Sequence, residues 1–250
     1  VRGVAYSTFS IIHVDNTGKG YLFEFDNPQA IYIHGGTCLD FERQELNILG
    51  KKVYKTELEL EEDDVIVTMS DGVIHAGVGA ILDFGWNREE VKAQLDRVIK
   101  SGMSAKCISC LLTSACNDLC LEKPGDDTTV AAVRVRKELH VNVMVGPPVD
   151  KEKDDFYIER FLKDGDKLVV CGGTSSQIVA RYLKTDVKAE LTTEDKEVPP
   201  IGHIDGIDLT TEGVLTLRKL LVLSEKYMSP NDLTPKYFKS KDGASMLADV

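Results

Sequence analysis

The sequence has no apolar run that approaches the roughly 20 residues a transmembrane helix needs, and no charged-then-apolar leader opens it. It also lacks an excess of basic residues, because 30 Lys and Arg face 41 Asp and Glu and leave a formal net charge of −11. A surface of this charge repels the phosphates of nucleic acid. We therefore expect a cytoplasmic protein that binds neither membranes nor nucleic acid.

Cysteine is not scarce, and four of the six cysteines fall in the pairs Cys107-x-x-Cys110 and Cys116-x-x-x-Cys120. Such spacing is typical of zinc or iron–sulfur ligands. On a single helix, however, the second pair would lie nearly opposite the first at about 100° per residue, and one metal could not reach all four thiols. Reduced, packed thiols are the favoured interpretation, and a structural metal is the alternative.

Two stretches, residues 64–72 and 124–133, carry the clearest chemistry. Each combines a β-rich apolar run with acidic residues at an end marked by glycine. Taken singly, such motifs are most often turns or solvated loops. Carboxylate oxygens are, however, the ligands that Mg²⁺ and Mn²⁺ prefer, and Gly72 after Asp71 allows a close approach of the backbone. Together the stretches predict two halves of one metal site.

The first 137 residues are predicted to contain many strands and two helices. A capping box at Asn87-Arg88-Glu89-Glu90 predicts the start of one helix, Ser101-Gly102 its end, and a second helix follows over residues 104–121. The strands are predicted at residues 4–14, 20–26, 30–34, 37–41, 52–60, 65–69 and 128–136.

Two polar segments flank the strand predicted at residues 65–69. The acidic run at 61–64 is interpreted as a solvated turn. The glycine-rich stretch after Asp71 is either a mobile flap or a plain loop. His75 in that stretch is a candidate proton donor to a leaving group, although a lone loop histidine is more often a surface residue.

Beyond Lys137 the pattern changes to β-α-β-α, with strands at 141–145 and 167–171 and helices at 154–163 and 175–183. We therefore expect two domains, residues 1–137 and 138–250, of which the second is a small α/β domain of unknown role. A later helix is predicted at 214–226, with Thr210 or Thr211 as its cap. The tail at 229–250 is expected to be partly irregular.

The segment Cys171-Gly172-Gly173-Thr174-Ser175-Ser176 leaves a predicted strand and enters a predicted helix. Backbone N–H groups and the positive end of the helix dipole could there bind a small anionic ligand at Gly172, Gly173 and Thr174. An ordinary strand-to-helix turn capped by Ser or Thr is the other interpretation, and no Gly-Lys-Ser/Thr pattern completes a nucleotide fingerprint.

Four motifs in order give residues 4–136 a resemblance to the later part of the metal-dependent protein phosphatase (PPM) fold, in its stage II sporulation protein E branch. The motifs are Ala5-Tyr6-Ser7-Thr8-Phe9, Phe25-Asp26-Asn27-Pro28, Ser70-Asp71-Gly72-Val73 with His75-Ala76-Gly77, and Gly125-Asp126-Asp127-Thr128-Thr129-Val130. The resemblance implies an α+β fold, a PPM-like β-sandwich flanked by helices and N-terminally incomplete, followed here by the small α/β domain.

The resemblance also implies a function and a site. Asp71 and Asp126 would be catalytic ligands of a binuclear Mn²⁺ or Mg²⁺ centre, with Gly72 beside them and Asp127 acting through water. The expected enzyme is a serine/threonine protein phosphatase that hydrolyses phosphoserine or phosphothreonine of a protein substrate by a metal-activated water. The family's earlier Asp-Gly motif does not precede Ala5. The alternative is therefore an inactive, phosphatase-like regulatory or binding protein, whose C-terminal domain senses a small anion.

Overall fold

A computed structural model describes residues 7–100, 102–191, 193, 195–229 and 241–248. The chain divides into two compact units between Lys137 and Glu138, here called the N-terminal and the C-terminal unit. The N-terminal unit contains β1 (Phe9–Val14), β2 (Lys19–Phe25), β3 (Ile31–His34), β4 (Thr37–Asp40), β5 (Gln44–Ile48), β6 (Lys51–Glu59), β7 (Val65–Met69), α1 (Asp71–Ile74), α2 (Arg88–Val98), α3 (Ala105–Leu119) and β8 (Val130–Arg134).

Two antiparallel sheets form the N-terminal unit, with strand orders β1-β2-β6-β5 and β4-β3-β7-β8. Strand β7 is buried along its whole length. Ile66 packs with Leu22 and Leu58 of the other sheet, whereas Val67 packs in a cluster that includes Leu95 of α2 and residues of α3. The unit is therefore a β-sandwich with helices on one outer face, and the predicted α+β fold is confirmed.

Local sequence signals located several elements correctly. The predicted bounds of β7 match the structure, and helix α2 begins after Asn87, whose side-chain oxygen accepts a hydrogen bond from the Glu90 N–H at 3.1 Å. Strand β5 was not predicted. It pairs along the edge of β6 and has mostly exposed residues, so it lacks the clear apolar alternation that marks a strand in sequence.

The interpretation of residues 61–64 as a solvated turn is wrong for Asp64. This carboxylate is 1% exposed and accepts hydrogen bonds from the Tyr32 hydroxyl at 2.6 Å and the Glu61 N–H at 2.8 Å. It also contacts His34 Nδ1 at 2.7 Å. Burial, and then the contact with Asp64, raises the pKa of Tyr32. Asp64 thus joins β3 to the start of β7.

The C-terminal unit is a small α/β structure around a five-stranded sheet with the order β11-β12-β13-β10-β9. Strands β9, β10 and β13 are parallel to one another, as the β-α-β-α order predicts. Its elements are β9 (Val141–Val145), a 3₁₀ turn (Lys151–Lys153), α4 (Asp154–Leu162), β10 (Lys167–Cys171), α5 (Gly173–Leu183), β11 (Lys188–Ala189), β12 (Gly202–His203), β13 (Leu209–Thr211), α6 (Val214–Met228) and α7 (Gly243–Ala248).

Helices cover both faces of this sheet. Residues of α4 and α5 pack with Val170 on one face, whereas residues of α6 and α7 pack with Val169 on the other. The predicted cap of α6 by Thr210 or Thr211 is wrong, because both lie in β13 and the helix begins after Gly213 without a side-chain cap.

Two expectations concern the tail and the membrane. Helix α7 lies within the segment 229–250 that was expected to be partly irregular, while residues 230–240 and 249–250 lie outside the described part. No helix among the described residues combines the length and the apolar character that crossing a membrane requires.

The buried carboxylate of Asp64 gives a stability prediction. Replacing Asp64 by Ala leaves the Tyr32 hydroxyl and the Glu61 N–H without their acceptor, so the free energy of unfolding of the N-terminal unit should fall by about 3 kcal/mol. The single tryptophan, Trp86, is buried in this unit, and its fluorescence during urea denaturation reports the unfolding. Glu62→Ala, which removes an exposed carboxylate two residues earlier, should change this energy by less than about 0.5 kcal/mol. Equal effects of the two substitutions would contradict the assignment.

The same cluster predicts a pH dependence. The hydrogen bond to Asp64, and then the negative charge of Asp64, raises the pKa of His34 above its ordinary value of 6.5. Protonated His34 therefore stabilises the folded unit fully below the unfolded pKa, and the contribution is lost as the pH rises through the folded pKa. In urea denaturation followed by Trp86 fluorescence, His34→Gln should destabilise more at about pH 5.5 than at about pH 8.5. A difference that grows with pH would refute this account.

Candidate metal centre

The two acidic stretches meet because β7 and β8 are antiparallel neighbours. Met69, at the end of β7, pairs with Val130, at the start of β8. Asp71 follows Met69 by two residues, and Asp127 precedes Val130 by three. The structure thus brings together the two motifs that the sequence predicted as halves of one site.

Ser70 fastens the two stretches to each other. Its backbone N–H donates to the Thr129 carbonyl at 3.0 Å, and its hydroxyl oxygen accepts from the Thr129 N–H at 3.0 Å. The same hydroxyl donates to the Asp127 carbonyl at 3.3 Å. The sequence named Ser70 only as part of a motif and predicted no role for it, because these contacts span more than fifty positions and have no local pattern.

Gly72 is buried against the opposite loop. A Cβ at this position would lie 2.4 Å from the Asp127 carbonyl oxygen, which is closer than real Cβ atoms approach, and 3.2 Å from Thr128 Oγ1. The absence of a side chain at Gly72 therefore lets its backbone contact the Gly125-Asp126-Asp127 loop of the same chain.

The three carboxylates lie at the exposed rim of this junction. Asp71 is the first residue of α1, and within the described part of the chain its carboxylate has no hydrogen-bond or ion-pair partner. Asp126 Oδ1 accepts a hydrogen bond from the Asp127 N–H at 2.8 Å, which orders the tip of its loop. Asp126 and Asp127 are both exposed. All three can therefore present oxygen atoms to solvent or to a cation.

The chemistry of this donor set fits a hard divalent cation but forms only part of a binding cage. Mg²⁺ typically uses one or two protein carboxylates and keeps several waters, which suits exposed Asp71, Asp126 and Asp127. Across residues 7–100, 102–191, 193, 195–229 and 241–248, no three His, Cys, Asp or Glu side chains cluster closely enough to hold a metal ion.

The stretch after Asp71 is helical only in its first turn and its described residues contain no further helix or strand before α2, so the flap or loop interpretation is wrong only for that turn. It begins as the single turn of α1, and His75 is the exposed residue that ends this helix. Beyond it the Gly77 N–H contacts Cys120 Sγ at 3.3 Å, and the Trp86 N–H donates to the Ala76 carbonyl. These contacts anchor the stretch to the end of α3 and to the core.

The cysteines are free thiols, and four of them lie on or directly after α3. Cys116 packs in the core with α2 and β7, and burial raises its pKa to about 12. Cys38 and Cys171 are also buried, while Cys107 and Cys110 are half-buried. Of the four cysteines in the two pairs, only Cys116 is buried and Cys120 packs against the same core, so the packed-thiol interpretation agrees with these two positions.

The residues predicted to bind an anion lie at the start of α5. Gly172 precedes the helix with φ +113°, and Gly173 and Thr174 are its first, exposed residues. No side chain caps this helix, so the alternative of a Ser or Thr cap is wrong.

Comparisons with known proteins found one matching family model and several similar solved structures. The family model of stage II sporulation protein E (SpoIIE) matches residues 3–136. The phosphatase domain of the cell fate determinant SpoIIE from Bacillus subtilis, presoaked with Mn, aligns at 18% identity over 53% of this chain and 58% of that chain, with a TM-score of 0.45. A second structure of that domain aligns at 19% identity over 53% and 60%, with a TM-score of 0.44.

The chain thus spans less than two thirds of the length of these solved domains. No curated protein matches the sequence. The family model nevertheless covers more than half of the chain, including both carboxylate stretches, and the resemblance inferred from the four motifs is confirmed. The chain belongs to the stage II sporulation protein E (SpoIIE) family.

Proposed function

We propose that the N-terminal unit, residues 1–137, is the later part of a metal-dependent phosphatase domain that hydrolyses phosphoserine or phosphothreonine of a protein partner. The observation that carries the proposal is the β7–β8 junction, where Ser70 and Gly72 hold the Asp71 and Asp126-Asp127 stretches together. Membership of the SpoIIE family supports it.

Each residue at the junction has a role in this proposal. Asp71 and Asp126 hold Mn²⁺ or Mg²⁺ through carboxylate oxygens, and Asp127 orients water as an outer neighbour. Gly72 lets the backbone of its loop approach the Asp127 carbonyl closely. When bound, such cations neutralise phosphate charge and lower the pKa of water toward neutrality. No side chain need become a covalent nucleophile.

The exposure of the site supports a macromolecular substrate. Asp71, Asp126 and Asp127 are exposed, so a phosphate on the side chain of another protein can reach them. The carboxylates alone repel a phosphate dianion, and we expect cations to be needed for its binding as well as for hydrolysis.

Charge removal at the two carboxylates tests the catalytic assignment. Asp71→Asn and Asp126→Asn should each lower Mn²⁺-dependent phosphate release from a phosphopeptide by at least about 100-fold, because each loses an anionic ligand. Asp63→Asn is the matched control, since it removes an exposed carboxylate beyond the opposite end of β7. Its ion pair with Arg134 lies at the surface, and the variant should keep activity within about twofold.

Retained activity in both site variants would refute the metal-ligand roles. Absence of turnover in the unmutated protein at millimolar Mn²⁺ would instead favour the regulatory, inactive alternative. Isothermal titration with Mn²⁺ distinguishes the catalytic proposal from the inactive alternative. The catalytic proposal requires that the unmutated protein binds Mn²⁺ and that Asp71→Asn weakens this binding.

Ser70 gives a second test as a positioning residue. Ser70→Ala removes the hydroxyl that bridges Thr129 and Asp127, so the Asp126-Asp127 loop should be less well ordered. Mn²⁺ affinity, measured by isothermal titration, should fall by about tenfold, as is typical for residues that orient ligands. Ser70→Thr keeps the hydroxyl and should restore most of the affinity. Unchanged Mn²⁺ affinity in Ser70→Ala would show that the bridge does not position the loop.

A further inference from the structure

Two helices of the C-terminal unit begin side by side at one edge of its sheet. Strands β10 and β13 are parallel, with Cys171 paired to Thr211, and each strand leads within three residues into a helix, α5 or α6. The Gly172 N–H donates to the Thr211 carbonyl at 2.9 Å. A Cβ on Gly213 would lie 3.5 Å from Gly172 Cα, so the two loops are in contact.

At this edge neither helix has a side-chain cap from any described residue. Helix α5 has 11 residues and α6 has 15, and both begin after a glycine. The first N–H groups of an uncapped helix lack intrahelical acceptors and form the positive end of the helix dipole. At this edge the first N–H groups of both helices are therefore hydrogen-bond donors for which the helices themselves supply no acceptor.

A buried hydroxyl points to a ligand at the same place. Ser175 is 0% exposed and lies in the first turn of α5, and its Oγ has no hydrogen-bond partner among the residues that the structure describes. A Cβ built on Gly172 would meet only this Oγ, at 3.8 Å, so the hydroxyl faces the space beside Gly172. The neighbouring Ser176 differs, since its hydroxyl donates to the Gly172 carbonyl at 2.8 Å.

Helix α6 repeats this feature. Thr216, in its first turn, is also 0% exposed, and within the described part of the chain its Oγ1 has no hydrogen-bond partner. A buried hydroxyl without a partner is unfavourable, and most native structures avoid it. Two such hydroxyls in the first turns of adjacent uncapped helices are accounted for if an acceptor binds between or above them.

We propose that the start of α5 binds an oxyanion of the size of phosphate. The N–H groups of Gly173 and Thr174 and the hydroxyl of Ser175 would donate to it, and the missing side chains of Gly172 and Gly173 leave room for it. A Cβ on Gly173 would meet no atom within 4 Å, so the helix end is open from that side. The proposal concerns the C-terminal unit and is independent of the phosphatase assignment.

Isothermal titration of the whole chain with inorganic phosphate tests this site, in the presence of EDTA and at constant ionic strength. EDTA removes any contribution of a metal centre. Ser175→Ala should weaken phosphate binding by about tenfold, the usual effect of losing one hydrogen bond to a charged group. Without phosphate the variant should be as thermally stable as the unmutated chain or more so, because it removes a hydroxyl that has no partner.

Two further variants make the result decisive. Thr56→Val removes another buried hydroxyl without a partner, but in β6 of the N-terminal unit, and should leave phosphate affinity unchanged. Gly173→Ala adds a methyl group in open space over the helix end and should also weaken binding. The absence of phosphate binding by the unmutated chain, or equal affinities for the unmutated chain, Ser175→Ala and Gly173→Ala, would overturn the proposal.

Discussion

The pairing of β7 with β8 is the constraint on which the candidate metal centre depends. Strand β7 is buried on both faces, with Ile66 toward the sheet β1-β2-β6-β5 and Val65 and Val67 toward the helices. A slip of one residue would exchange these faces and would place Ile66 among the helices. Packing therefore fixes the register, and the register fixes which residues of the two following loops meet.

The two ends of β7 use the same residue type in opposite ways. Asp64, just before the strand, is buried and accepts three contacts, whereas Asp71, just after it, is exposed and has no partner among the described residues. The first arrangement stabilises the junction with β3, because a buried carboxylate needs all of its donors. The second leaves a carboxylate whose hydrogen-bonding capacity is still available for a ligand.

Local chemistry explains which features the sequence could predict. The bounds of β7 and β10 follow from short apolar runs, and the start of α2 follows from a capping box around Asn87. The burial of Asp64 and the bridge made by Ser70 depend on residues more than thirty positions away. Their sequence context resembles that of any polar turn, so only the tertiary structure distinguishes them.

The incorrect prediction of the α6 cap also shows that local sequence does not reveal tertiary contacts. Thr210 and Thr211 are good capping residues, but β13 pairs with β10 and takes both into the sheet. The helix then begins after Gly213, and its first turn is left without a side-chain acceptor. Strand pairing thus has a chemical consequence. It makes the Thr210 and Thr211 side chains unavailable as caps and leaves the first N–H groups of α6 as donors at the sheet edge. In the N-terminal unit exposed carboxylates lie at a strand end, which suits cations. In the C-terminal unit N–H and hydroxyl donors lie at a strand end, which suits anions.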